Sequence, residues 1–200
     1  MSQLRDGSAE ISGLRDRKRE QNRALTAETA WRLFIDRGYD EVTVADICAA
    51  ADIAPRTFHR YFAGKEDVVA EPTRRMARVV ADHVTSAPAG QSDVEVMRGA
   101  MVALGRFAIE NRDWLIALRV VSQGSHHIRA IHVGRPEQDQ EIVALLAARH
   151  PDADPTEWPR RLLVACSVAA FRVWYDDYLR LNLRDPITRL DTVLTAALPR

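Results

Sequence analysis

Thr43–Lys65, TVADICAAADIAPRTFHRYFAGK, decides the fold. It reads as two short helices joined by a tight corner and running into the start of a third. Thr43-Val44-Ala45-Asp46 has the form of a capped helix start. The Thr hydroxyl accepts an orphan backbone N–H, and Asp46 lies in the positive first turn. Val44, Ile47, Cys48 and Ala51 then share one helical face. Cys48 is small enough for another helix to cross close to it. Asp52 falls where the chain must turn sharply, and Asp is among the few residues besides Gly that tolerate a left-handed backbone. Ile53 returns to the core, and Pro55 suits a first helical turn. Phe58 and Phe62, four apart, face inward, which leaves Arg56, Thr57, His59, Arg60 and Tyr61 facing out. A short helix that shows solvent only basic and hydroxyl-bearing groups suits a DNA major groove.

Upstream, residues 1–13 are polar, hold Gly7, Ser8 and Gly13, and read as a disordered tail. A helix is expected from about Leu14 to Arg37, with Leu25, Ala27, Ala30, Trp31, Leu33 and Phe34 as its apolar stripe and Gly38 as its stop. It cannot bury that stripe alone, so it must pack on the two short helices that follow. This makes 14–65 a three-helix unit. Arg15, Arg17, Lys18, Arg19 and Arg23 cluster just ahead of it; beside the helical motif they suit a DNA-contacting arm better than a plain solvated face.

Residues 66–200 read as a second, helical domain. Pro72 predicts a break near Ala70–Glu71. A fresh helix to about Thr85 follows, with Met76, Val79, Val80 and Val84 on one side, and it would have to carry any signal between the halves. Ala87-Pro88-Ala89-Gly90 is a breaker cluster. Ser92 caps a helix from Asp93 to Glu110, and Asn111 opens another to about Ser122. Residues 125–150 read as helix with a weak point at Gly134-Arg135-Pro136. His126, His127 and His132 invite a metal reading. Neighbouring helical side chains diverge by about 100°, however, and metal-binding pairs sit three or four apart, so no metal or other cofactor is expected. After the loop Pro151–Pro155, a helix capped by Thr156 is apolar on more than one stripe, much of it Ala. A last helix starts at Pro186. Together they suit a two-fold dimer interface made by Leu162, Cys166, Ala169, Val173, Leu190 and Leu194. A ligand pocket between helices would be lined by Met97, Met101, Leu104, Phe107, Trp114, Leu118, Phe171, Trp174, Tyr175 and Tyr178.

The totals allow one large domain or two small ones. With 28 Lys+Arg against 28 Asp+Glu the formal net charge is zero, so bulk charge alone does not announce a nucleic-acid binder. A neutral ligand domain would dilute a small basic one. Cys48 and Cys166 lie in apolar patterns and read as buried thiols of a reducing compartment. There is no secretory pattern and no apolar run long enough for a bilayer, so a soluble, cytoplasmic protein is expected.

The pairs Gly38-Tyr39, Thr43-Val44, Asp46-Ile47, Thr57-Phe58, Tyr61-Phe62 and Lys65-Glu66 occur in the order and spacing of the tetracycline-repressor (TetR) family of bacterial transcription regulators, which residues 17–70 resemble. Three positions depart from the pattern: Asp52 for a turn Gly, Ala54 for an N-cap Ser, and His59 for a Tyr. The resemblance implies an all-α fold, with a helix-turn-helix domain before a helical ligand-binding and dimerisation domain. It also implies a homodimeric repressor on a palindromic operator, released by a small effector, and the pocket residues named above suit an apolar or aromatic one. The DNA-binding set it implies, together with side-chain chemistry, is Arg17, Lys18, Thr43, Ala54, Pro55, Arg56, Thr57, His59, Arg60, Tyr61 and Lys65. Arg56, whose fork matches guanine O6 and N7, is the foremost base reader; Thr43, Tyr61 and Lys65 match phosphate-contacting positions. Pro55–Phe58 with Glu66–Val69 also looks like an actinobacterial branch that includes mycofactocin-system regulators, which is associated with acyl-CoA ligands. The alternatives are a helical ligand-binding protein without sequence-specific DNA binding, and an all-α enzyme. The second lacks G-x-S-x-G, a Gly-rich phosphate loop, H-E-x-x-H and paired E-x-x-H, so no enzyme is expected.

Overall fold

The computed structural model describes the backbone of residues 3–124, 136–150 and 158–198, and the side chains of residues 17–121, 139–150 and 158–198. Ten α-helices and no strand are found among the described residues: α1 Gln3–Arg37, α2 Val44–Ala50, α3 Pro55–Tyr61, α4 Lys65–Val69, α5 Glu71–Ser86, α6 Asp93–Glu110, α7 Arg112–Gly124, α8 Pro136–Ala148, α9 Trp158–Arg180 and α10 Pro186–Ala197. The chain divides into two units. One holds the residues up to Ala70 and a segment beginning at Arg119; the other holds Glu71–Leu118 and the described residues from Pro136 on. The division falls after α4, not at residue 65.

In the first unit α1 packs against α2 and α4, and α2 against α3. α1 starts at Gln3, so helix covers most of the stretch read as a disordered tail. Its polar residues are ordinary helix formers, and Gly7 and Gly13 each cost only about 1 kcal/mol. Ala27, Ala30, Trp31 and Phe34 are buried as the stripe required, but Leu25 is 55% exposed and Thr26 takes the inward position. Thr26 can do so because its hydroxyl donates to the Asn22 carbonyl at 2.8 Å. Gly38, at φ 87°, stops the helix in the left-handed region that its missing Cβ leaves open.

In the second unit α6 is central and packs against α5, α9 and α10. Ser92 caps it, accepting from Glu95 N while the Glu95 carboxylate accepts from Ser92 N at 2.8 Å. Val96, Met97, Ala100, Met101, Leu104 and Ala108 turn inward. Gly105 lets α10 come close, since a Cβ there would stand 2.5 Å from Leu190 Cδ2. Pro72 ends α4 as expected: Ala70 is its C-cap and α5 begins at Glu71. The readings at 125–135, the three histidines included, and at 151–157 lie outside the described residues.

Beside the breaker cluster, a distant residue secures the end of α5. Arg149, which helical spacing puts in register with Ile142, Leu145 and Leu146, turns its guanidinium onto the last carbonyls of α5 and the turn beyond. Nη1 donates to Val84 O at 3.2 Å and Ala87 O at 2.8 Å, and Nη2 donates to Pro88 O at 2.7 Å. A cation at a helix C-terminus also meets the negative end of the dipole. Arg149→Ala should therefore cost about 2–3 kcal/mol, a fall in Tm of roughly 5–10 °C. Arg149→Lys, which keeps the charge and loses the fork, should recover less than half of it in thermal melts.

Candidate nucleic-acid interface

The corner forms as its residues dictate. The Thr43 side chain accepts from Asp46 N at 3.2 Å, and the Asp46 carboxylate accepts from Thr43 N at 2.8 Å, completing a capping box. The Thr43 hydroxyl also donates to the Asp46 carboxylate, and this bond first, then that from Thr43 N, holds the Asp46 carboxyl below its usual range. Asp52 sits at φ 50°, and Ile53 N closes the turn on Cys48 O at 3.0 Å. Ile47 and Cys48 are buried, and burial pushes the Cys48 thiol up. α3 begins at Pro55 with no side-chain cap from Ala54. It is held instead by Phe58 and Phe62, 0% and 1% exposed, with ring centroids 5.5 Å apart.

That anchoring leaves Ala54, Pro55, Arg56, His59 and Arg60 exposed and Thr57 half-buried. Arg17 and Lys18 are exposed on α1. Two members of the expected set stand differently. Tyr61 does not face out: its ring is buried, and the Arg60 guanidinium lies 5.2 Å from its centroid. Position 61 falls three residues after Phe58 and so shares the inward side of so short a helix. Lys65 is also committed. Its ammonium donates to Tyr39 O at 2.9 Å, Val42 O at 3.1 Å and Asp40 O at 3.5 Å, and lies 4.3 Å from the Tyr39 ring centroid. Those contacts occupy its three donors.

The same contacts join Gly38-Tyr39 to Lys65-Glu66. Tyr39 OH donates to Glu66 Oε1 at 2.9 Å, across 27 residues. Burial, then the Glu66 hydrogen bond and charge, push the Tyr39 phenol well above its usual range. Lys65 and Glu66 thus tie the loop 39–42 to the start of α4, and hold α1 and α2 at the angle from which α3 projects. Arg23, counted in the basic arm, is drawn back as well. It pairs with Glu20 at 3.1 Å and covers the Phe62 ring at 5.1 Å. The sequence offered one signal for this, the i, i+3 spacing of Glu20 and Arg23.

In the second unit Leu162 and Val173 are 54% and 58% exposed, Ala169 is exposed and Cys166 half-buried. All four lie on one face of α9. Cys166 is therefore not the buried thiol expected. Leu190 and Leu194 are 0% exposed and cannot form a surface; they are the inward face of α10, and Leu190 reaches Gly105. Beside the α9 stripe is a cavity of about 400 Å³. Trp158, Leu162, Cys166, Val94 and Leu198 wall it, together with the Asp93–Arg160 ion pair at 2.8 Å. None of the ten expected pocket residues lines it. Met97, Met101, Leu104, Leu118, Phe171, Trp174 and Tyr178 are buried, and Phe107, Trp114 and Tyr175 are half-buried. Trp174 and Tyr178 stack at 5.1 Å and 4°. Large rings at helical spacing have met across the core and filled it.

The family described as bacterial regulatory proteins, tetR family, matches residues 27–71. The HTH-type transcriptional regulator TcmR of Streptomyces glaucescens is 30% identical over 175 residues, covering 82% of this chain and 77% of that protein. The fold is similar to that of a putative transcriptional regulator from Pseudomonas aeruginosa PAO1 (TM-score 0.60, 19% identity, 88% of each chain). It is also similar to that of a TetR family transcription regulator from Marinobacter aquaeolei VT8 (TM-score 0.55, 18% identity, 92% of this chain and 96% of that one).

Proposed function

This chain belongs to the tetR family of bacterial regulatory proteins and is a ligand-responsive, DNA-binding transcriptional regulator; from that premise we propose that α3 reads an inverted-repeat operator and that the chain acts as a homodimeric repressor released by a small effector. The observation that carries the reading is the outward set Arg56, His59 and Arg60 on a helix pinned from behind by Phe58 and Phe62. A helix of seven residues reaches only a few base pairs, too few to select a genomic site. Two copies double the footprint and make the site palindromic. The α9 stripe Leu162, Cys166, Ala169 and Val173 supplies the surface for pairing. Arg17, Lys18, Thr43 and Thr57 are the proposed phosphate contacts. Lys65 and Tyr61 support the reading head from behind. Such a regulator works beside the chromosome, in the cytoplasm; among the described residues no helix is long and apolar enough to cross a membrane.

Selection of bound genomic fragments should return an inverted repeat, and a search that returns no shared sequence would sink the reading. Arg56→Ala should weaken operator binding by about 1–3 kcal/mol, roughly 5- to 150-fold, and relax preference at one position per half-site. Folding stability should move by no more than about 0.5 kcal/mol, because the side chain is exposed. Binding that weakens uniformly over all sequences would make Arg56 a phosphate contact.

A further inference from the structure

Glu71 opens α5 with its side chain 1% exposed, and three arginines converge on it. Arg74 donates from Nε and Nη2 to Oε2 at 3.2 and 3.0 Å. Arg75 Nε donates to Oε1 at 3.4 Å, and Arg78 Nη2 lies 3.7 Å from the same oxygen. One forked guanidinium is enough to satisfy most of a buried carboxylate. Arg75 and Arg78 so bring further positive charge to a place where the Glu71 carboxylate holds the guanidinium groups together against their mutual repulsion.

The Arg75 guanidinium also lies over the Trp114 ring, 5.3 Å from its centroid. A cation over a ring face is held by the ring's electrons without using up its N–H donors. Nε is taken by Glu71. Among the described residues the Nη donors of Arg75 have no hydrogen-bond partner, and those of Arg78, 57% exposed, meet only the long contact to Glu71. A planar fork fixed on an indole, beside a second guanidinium one helical turn on, is the donor pattern that phosphate and carboxylate oxygens accept bidentately.

We infer that Arg75 and Arg78 bind the oxyanion of a small molecule, a phosphate monoester or a carboxylate, with Trp114 as the plate and Glu71 holding the fork in place. This rests on the reading of the second unit as effector-binding and narrows it: the effector carries an acidic group beside its apolar or aromatic body. Inorganic phosphate and pyrophosphate are the probes. The full chain is titrated with each at constant ionic strength set with sodium chloride, and read by tryptophan fluorescence and by Tm. A saturable response in the millimolar range is expected, about tenfold weaker in Arg78→Gln and abolished in Arg75→Gln. Arg75→Lys, which keeps charge and loses the fork, should fall between. Each variant's Tm without phosphate shows whether it has folded.

No saturable response, or an equal one in both glutamine variants, overturns the inference. So does loss of operator affinity in Arg75→Gln without phosphate binding by the unsubstituted chain, which would assign the pair to the DNA backbone. Failure here with operator binding intact removes this site and leaves the regulator standing; failure of operator binding by the unsubstituted chain removes the regulator.

Discussion

Replacing Trp174 by alanine should cost about 4 kcal/mol and lower Tm by roughly 8–16 °C. Trp174 is 0% exposed and lies on α9 where α9, α10 and α6 meet. It stacks on Tyr178 and tilts against Phe171 at 5.3 Å. Its Nε1 donates to the Pro186 carbonyl at 2.6 Å, fixing the first turn of α10. It also approaches the place where Gly105 has no Cβ, which is where α6 and α10 come close. Trp174→Phe separates the contributions. It keeps most of the ring and loses the bond, and should cost about 1–2 kcal/mol. Urea titrations of both variants check this, and a Trp174→Ala loss below about 1 kcal/mol would show that the core repacks freely.

Features set by near neighbours were legible in the chain. The Thr43–Asp46 and Ser92–Glu95 boxes need only residues three apart. Asp52 and Gly38 are residue types that tolerate the left-handed backbone a sharp turn needs, and Pro72 forces a break whatever surrounds it. What escaped depends on partners far away. A lysine beside a helix start looks free for phosphate until Tyr39, Asp40 and Val42 are placed round it. Arg149 passes for a stripe residue until α5 ends beside it. Leu190 and Leu194 fit an interface as well as a core by periodicity alone, and only the packing of α10 on α6 and α9 decides which. Large apolar residues on several helices likewise suit a pocket or a filled core equally, and most of the ten proved buried.

Leu162→Asp combined with Val173→Asp should leave the chain folded but monomeric, with operator affinity down at least about 100-fold. Both side chains are more than half exposed, so within one copy the substitutions cost little, about 0.5 kcal/mol each. Across a two-fold axis they would bury four carboxylates, at several kcal/mol per ion. The reading head is untouched, so weak binding to a half-site should persist and equal that of the unsubstituted chain on the same half-site. Sedimentation and mobility shifts on full and half operators test this. Leu190→Asp is the contrast: it should unfold the chain, because that position is interior. A double aspartate that still sediments as a dimer would move the pairing surface off α9.

The sequence carries 28 basic side chains of which only Lys18 and Lys65 are lysines. Lys18 stands in solvent on α1, whereas the Lys65 ammonium is held by three carbonyl oxygens and lies over the Tyr39 ring. Amine-reactive dyes and acetylating reagents need open access to the amine, so of the two side chains they should label Lys18 first. With the reactive α-amine blocked first, a fluorophore on Lys18 beside the proposed arm comes without engineering, and its anisotropy would report DNA capture.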